Sequence, residues 1–139
     1  MNAAIPNRPG TQPRLNLLVL RSSNAGRLAD FYSLLGLCFD VHRHGTGPEH
    51  FCSQLGSGVF EIYPQESNAI GTASVRLGFA VTDVDHAYAK LIAVGGKNVQ
   101  KPSPSPWGRR AVLQDFDGHK VELTELEPET LPLRTFAEV

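Results

Sequence analysis

The sequence predicts an α+β domain made of two βαβββ modules that form a curved mixed sheet around a cleft. Three observations carry this expectation. The apolar run LNLLVLRS (Leu15–Ser22) recurs in kind as VRLGFAV (Val75–Val81). Each run precedes a stretch with apolar residues at helical spacing that stops at a glycine, Leu35-Gly36 in the first half and Val94-Gly95 in the second. Each half then ends on short strand patterns, and VFEIY (Val59–Tyr63) matches KVELT (Lys120–Thr124). The halves are offset by about sixty residues, each half one supersecondary unit. A lone βαβββ unit cannot cover both faces of its sheet, whereas two together can.

Each element has its own local reason. Leu15–Ser22 is an apolar first strand. Asn24–Leu35 is a helix, with Leu28, Phe31, Tyr32 and Leu35 on one face and Gly36 as its stop. Three strands follow, Phe39–His44, Phe51–Leu55 and Val59–Tyr63, separated by turns at Gly45/Gly47 and Gly56/Gly58. In the second half Val75–Val81 is the strand, and Val84–Val94 the helix, with Thr82 and Asp85 expected as a capping box. Asn98–Lys101, Arg110–Gln114 and Lys120–Thr124 complete it, the last two divided by the turn FDGH (Phe116–His119). The domain therefore runs over 14–126, with modules 14–65 and 74–126. Residues 1–13, with Pro6, Pro9 and Pro13, are expected to be a mobile arm. The tail 127–139 offers Leu131, Leu133 and Phe136 for docking on the domain or on a second subunit.

Composition narrows the function classes. The 139 residues are 41% hydrophobic and 19% charged, with a formal net charge of -1. No basic patch points to nucleic acid, and no apolar run is long enough to span a bilayer. The N-terminal MNAAIPNRPGTQPR lacks the apolar centre of a secretory signal, so a cytoplasmic protein is expected. Cys38 and Cys52 form neither a disulfide framework nor a zinc motif and are expected to be buried free thiols.

Three segments, LVLRSSNAGRLADFYSLLGL, GVFEIYP and PWGRRAVLQDFDGHKVELTE, resemble the vicinal oxygen chelate superfamily. This group comprises glyoxalases, extradiol dioxygenases, and bleomycin- or fosfomycin-resistance proteins. The resemblance covers about residues 14–126. It implies the fold more than the function, because the group hosts lyases, isomerases, oxygenases and pure binders. Its metalloenzymes share four ligand positions, which carry over onto Leu17, Glu61, Arg76 and Glu122. The glutamates match; leucine has no lone pair to offer, and arginine is a permanent cation. Strand parity puts Glu61 with Tyr63, and Lys120 with Glu122 and Thr124. Two carboxylates lining one cleft would repel. The expectation is that Arg76 takes the cation's place between Glu61 and Glu122, its planar fork binding carboxylates. The alternative is that Arg76 points to solvent.

The stretch HRHGTGPEHF (His42–Phe51) places His42, His44 and His50 on one hairpin beside Glu49. As strand neighbours two apart, His42 and His44 share a face, and His44 can lie opposite His50. Three readings are open. The histidines can join Glu61 or Glu122 in a displaced site for zinc, nickel, manganese or iron. They can form the polar wall of a ligand cleft, or belong to an ordinary hairpin. His86 and His119 are expected to be structural or exposed.

Trp107 sits in a loop stiffened by Pro102, Pro104 and Pro106; it either stacks on a flat ligand or caps the core. Parity with Val112 and Gln114 turns Arg110 toward the cleft as a carboxylate or phosphate binder, and leaves Arg109 at the surface. Tyr63 is a hydrogen-bond donor beside Glu61 or a packed tyrosine. Arg21 is a weaker candidate on the Leu17 face. No phosphate loop or nucleophile elbow is present. The expected function is the binding of a small organic molecule in a metal-independent cleft by a homodimer. The alternative is a divergent metal-dependent lyase, isomerase or dioxygenase.

Overall fold

The computed structural model describes residues 12–126. The expected N-terminal arm, for residues 1–11, and the docking of Leu131, Leu133 and Phe136 lie outside them. Ten elements follow in chain order. They are β1 (Leu17–Ser22), α1 (Ala25–Ser33), β2 (Phe39–His42), β3 (His50–Leu55), β4 (Gly58–Pro64), β5 (Arg76–Val81), α2 (Val84–Ala93), β6 (Lys97–Ser103), β7 (Arg110–Gln114) and β8 (Lys120–Glu125). They build two four-stranded sheets, in the orders β1-β4-β3-β2 and β5-β8-β7-β6. In each, the first and last strands pair in parallel and the others are antiparallel. The duplicated βαβββ architecture is therefore present.

The helix ends explain the local sequence. Asn24 caps α1, its side chain accepting from the Arg27 N–H at 3.1 Å. At α2 the cap is Asp83, which accepts from the His86 N–H at 3.0 Å. This corrects the expected Thr82/Asp85 capping box. A carboxylate one residue closer to the helix reaches the free N–H directly, and Asp85 instead pairs with Arg109. Gly36 (φ 101°) and Gly95 (φ 117°) end the two helices in the left-handed region, which a side chain would strain. A second correction concerns the histidine hairpin: β2 stops at His42, and the register places His42, not His44, opposite His50.

Alternate strand residues face α1 and α2. Leu20, Phe60, Ile62, Leu77, Leu113, Val121 and Leu123 join Leu28, Phe31, Tyr32, Val84 and Leu91 in one core. Each large side chain buried this way contributes roughly 1.5–3 kcal/mol. The core runs through both modules: Tyr32 on α1 lies 5.1 Å from Phe60 and 5.8 Å from Phe79 on β5, centroid to centroid.

A polar seam adds to this join. Tyr32 Oη donates to Asp115 Oδ2 at 2.5 Å, and His119 Nδ1 lies 2.8 Å from the same oxygen. The backbone N–H groups of Asp117 and His119 donate to Asp115 Oδ1. His119 Nε2 lies 2.6 Å from Thr72 Oγ1, which accepts from the Arg21 N–H at 2.9 Å. Ser22 Oγ donates to Asp117 Oδ2 at 2.6 Å. Burial, then the neighbouring Asp115 carboxylate, pushes the Tyr32 hydroxyl well above the ordinary tyrosine range. His119 is thus structural and fully buried.

Candidate functional site

On the face of each sheet away from its helix, the register lines up the candidate residues. In the first sheet Val19, Glu61, Cys52 and Asp40 form one row across the strands. The next row holds Arg21, Tyr63, His50 and His42: Arg21 pairs with Tyr63, His42 with His50, and His50 follows on from the Phe51–Ile62 pair to face Tyr63. The Tyr63 and His50 rings stack at 4.1 Å and 7°, and the Arg21 guanidinium lies 4.9 Å over Tyr63. This stack leaves His50 only 1% exposed, although it faces away from the helix. The His44 ring is 5.0 Å from it and the His42 ring 6.0 Å; both are exposed.

Glu61 has two partners here. Cys52 Sγ donates to Glu61 Oε2 at 2.9 Å, and His50 Nε2 lies 3.7 Å from the same oxygen. Burial, the hydrogen bond and the Glu61 charge together push the Cys52 thiol up to about 12. Burial first, then Glu61, also raises the Tyr63 hydroxyl.

In the second sheet Gly78, Glu122, Val112 and Gln100 form the corresponding row. Arg76 Nη2 donates to Glu122 Oε1 at 2.6 Å, and Arg110 Nη2 donates to the same oxygen. Arg110 Nη1 also donates to Gln100 Oε1 at 3.3 Å. The two guanidiniums, Arg76 first, hold the Glu122 carboxyl below the usual carboxylate range. The expected bridge is therefore realised on one side only. Arg76 binds Glu122, the second cation is Arg110, and Glu61 lies on the other sheet with Cys52 and His50. Arg110 does bind a carboxylate, but one that belongs to the chain itself.

A groove lies where β1 and β5 approach. It encloses about 290 Å³ and is lined by Leu17, Leu18, Leu55, Val59, Leu77 and Phe79, with Arg76 among them. Leu17 and Arg76, equivalent positions of the two modules, are thus brought to one groove. Trp107 is 67% exposed, so it caps no core. Arg109 makes a two-pronged exposed pair with Asp85, at 2.6 and 2.9 Å. Cys52 was expected only as a buried thiol. Its parity was the available signal, since it shares a strand face with His50 and the turn at Gly56 sets it opposite Glu61.

The paired βαβββ sheets define a domain of the glyoxalase, bleomycin-resistance and dioxygenase type. The chain belongs to the Glyoxalase-like domain family, whose pattern matches residues 17–124. A probable chloroplastic lactoylglutathione lyase of Arabidopsis thaliana is 34% identical over 93 residues, which is 64% of this chain. The chain spans 25% of that protein's length. A glyoxalase-related enzyme from Fulvimarina pelagi superposes with a TM-score of 0.66 at 20% identity, covering 83% of this chain and 89% of that one. TnmS3, an antibiotic binding protein from Streptomyces sp. CB03234, superposes with a TM-score of 0.64 at 22% identity, over 84% and 98% of the two chains. These structural likenesses are of fold.

The metal centre that the superfamily implies does not fit its four positions here. Leu17 has no donor atom, and Arg76 is a cation already bound to Glu122. Among the described residues no helix is long and apolar enough to cross a membrane.

Proposed function

We propose that the chain binds a small organic molecule in the groove between β1 and β5, without a metal at the superfamily's four-ligand centre. The observation that carries this reading is the engagement of Glu122 by both Arg76 and Arg110. Two guanidiniums against one carboxylate leave a formal positive charge beside an apolar groove. Arg76 keeps 46% of its side chain exposed and lines that groove, so it retains donors for a ligand. A compact apolar molecule with one anionic group suits this chemistry. The same reading has the chain as a homodimer, which sedimentation velocity at two concentrations checks.

The probe is 8-anilinonaphthalene-1-sulfonate, an apolar anion, titrated by fluorescence into the full chain. Saturable binding is expected, weakened about fivefold or more by Arg76→Ala, a loss of roughly 1 kcal/mol. Leu17→Asp, at an exposed groove position, should weaken it similarly. Unchanged binding in both variants would overturn the reading.

A second reading, a divergent metal-dependent enzyme with an atypical His/Glu site, draws on the approach of His50 Nε2 to Glu61. Its metal-binding element is argued next.

A further inference from the structure

We infer that His50 Nε2, Cys52 Sγ and Glu61 Oε2 form a binding site for a borderline divalent metal ion of the zinc class, independent of the groove between β1 and β5. These three atoms lie within 4.8 Å of one another. They belong to the first sheet alone, and only Glu61 is shared with the superfamily's four positions.

The imidazole is oriented for ligation. His50 Nδ1 lies 3.3 Å from the carbonyl oxygen of Pro48, and a carbonyl can only accept. Nδ1 therefore carries a proton, and Nε2 is the ring nitrogen left to ligate. Such a contact from the far ring nitrogen is how metal-bound histidines are held in orientation. Nε2 is the buried side-chain nitrogen or oxygen that lacks a hydrogen-bond partner among the described residues. It faces Glu61 Oε2 at 3.7 Å. A cation placed between these two atoms would be bound by both. An unpaired buried polar atom costs on the order of 1–3 kcal/mol, so an orphan beside a carboxylate needs a physical cause.

Spacing and chemistry fit a metal. Zinc bonds of about 2.0–2.3 Å to N, O and S in tetrahedral geometry set donor atoms about 3.5 Å apart. The observed 2.9 Å (Cys52 to Glu61) and 3.7 Å (His50 to Glu61) bracket that spacing. A mixed N, S, O set suits zinc or cobalt rather than calcium or magnesium. On binding, the Cys52 S–H bond breaks, the sulfur electron pair goes to the metal, and one proton leaves to solvent. Thiolate and carboxylate then neutralise the dication. Three protein donors leave a fourth position for water or an added ligand.

The test is a cobalt(II) titration of full-length, tag-free Cys38→Ser protein under anaerobic conditions, because Cys38 is an exposed competing thiol. The expected result is a one-to-one complex with a near-ultraviolet thiolate-to-cobalt charge-transfer band and strong visible tetrahedral bands, bleached by zinc. Cys52→Ala should abolish the charge-transfer band. Glu61→Gln should weaken cobalt at least tenfold with the fold intact by circular dichroism. Arg76→Ala should leave the spectrum unchanged, which separates failure of this site from failure of the groove reading. Three results would overturn the site: no cobalt complex; a complex without the charge-transfer band, as exposed His42 and His44 alone would give; or an unchanged spectrum in Cys52→Ala.

Discussion

The two modules share one backbone plan and treat the same glutamate in opposite ways. Glu61 and Glu122 lie at equivalent positions within β4 and β8 and face away from the helices. Following the register, Leu17 corresponds to Arg76, His50 to Arg110 and Cys52 to Val112. Module two meets its carboxylate with two guanidiniums, which hold it ionised and leave excess positive charge. Module one meets its carboxylate with a thiol and an imidazole, side chains of the kind that ligate a metal. The difference teaches that a duplicated scaffold keeps a carboxylate in place while neighbours at three positions decide what it does. In one half it anchors arginines, and in the other it completes a donor set.

The turns differ as well. Leu55 and Gly58 correspond to Asp115 and His119 by the ladder that each pair continues. Module one closes on a short Gly56-Ser57 turn. Module two's longer turn carries the carboxylate that ties Tyr32, His119 and two backbone N–H groups together. The largest expected effect lies here. Asp115→Ala should cost about 3–5 kcal/mol in urea unfolding, because it strands buried partners. Leu55→Ala, its half-buried counterpart, should cost about 1 kcal/mol. Equal losses would mean that the polar seam does not join the modules.

Transplanting module one's donors onto module two comes next. In a Cys38→Ser/Cys52→Ala background, Arg76→Leu, Arg110→His and Val112→Cys together should restore a thiolate–cobalt band. The affinity should exceed that of the background at least tenfold. A silent transplant would show that the strand plan alone does not position the donors.

A smaller effect concerns pH. The folded Glu122 carboxyl is held below its ordinary value, so it binds its proton less readily folded than unfolded. Its contribution to stability is full above about pH 4.3 and is lost as pH falls through the folded value. The gap between wild type and Glu122→Gln should be about 1 kcal/mol at pH 7 and close under acid, as read from urea midpoints. Arg110→Ala should cost more than Arg76→Ala, since Arg110 is 18% exposed and Arg76 46%. A gap that widens on acidification would contradict the two-guanidinium account. Smallest of all is Asp85→Ala, which removes the exposed pair with Arg109. It should leave the urea midpoint unchanged.

The repeat was legible because strand and helix periodicities are local properties. The apolar face of Leu28, Phe31 and Tyr32, each glycine stop at Gly36 and Gly95, and each of the segments VFEIY and KVELT can be read within a short stretch of chain. Parity likewise placed Glu61 with Tyr63 and Glu122 with Thr124. The expected bridge between the two glutamates had no such local support. It required Glu61 and Glu122 to share one cation, and strand parity says nothing about how two sheets stand to one another. The His44–His50 pairing missed for a related reason. A hairpin register depends on where the ladder ends, and β2 stops at His42.

By itself, then, the sequence determined two βαβββ modules, their helix stops, and a carboxylate on the last strand of each. The period of a strand and the pitch of a helix act over neighbouring residues and are written in order along the chain. Tertiary structure alone decided that Arg110 joins Arg76 on Glu122, that Asp115 and His119 are buried against Tyr32, and that Cys52 and His50 converge on Glu61. These are meetings of residues 9 to 83 positions apart for their hydrogen bonds. Cross-strand register and inter-module packing set such distances, because a side chain finds its partner across the sheet and not along the chain.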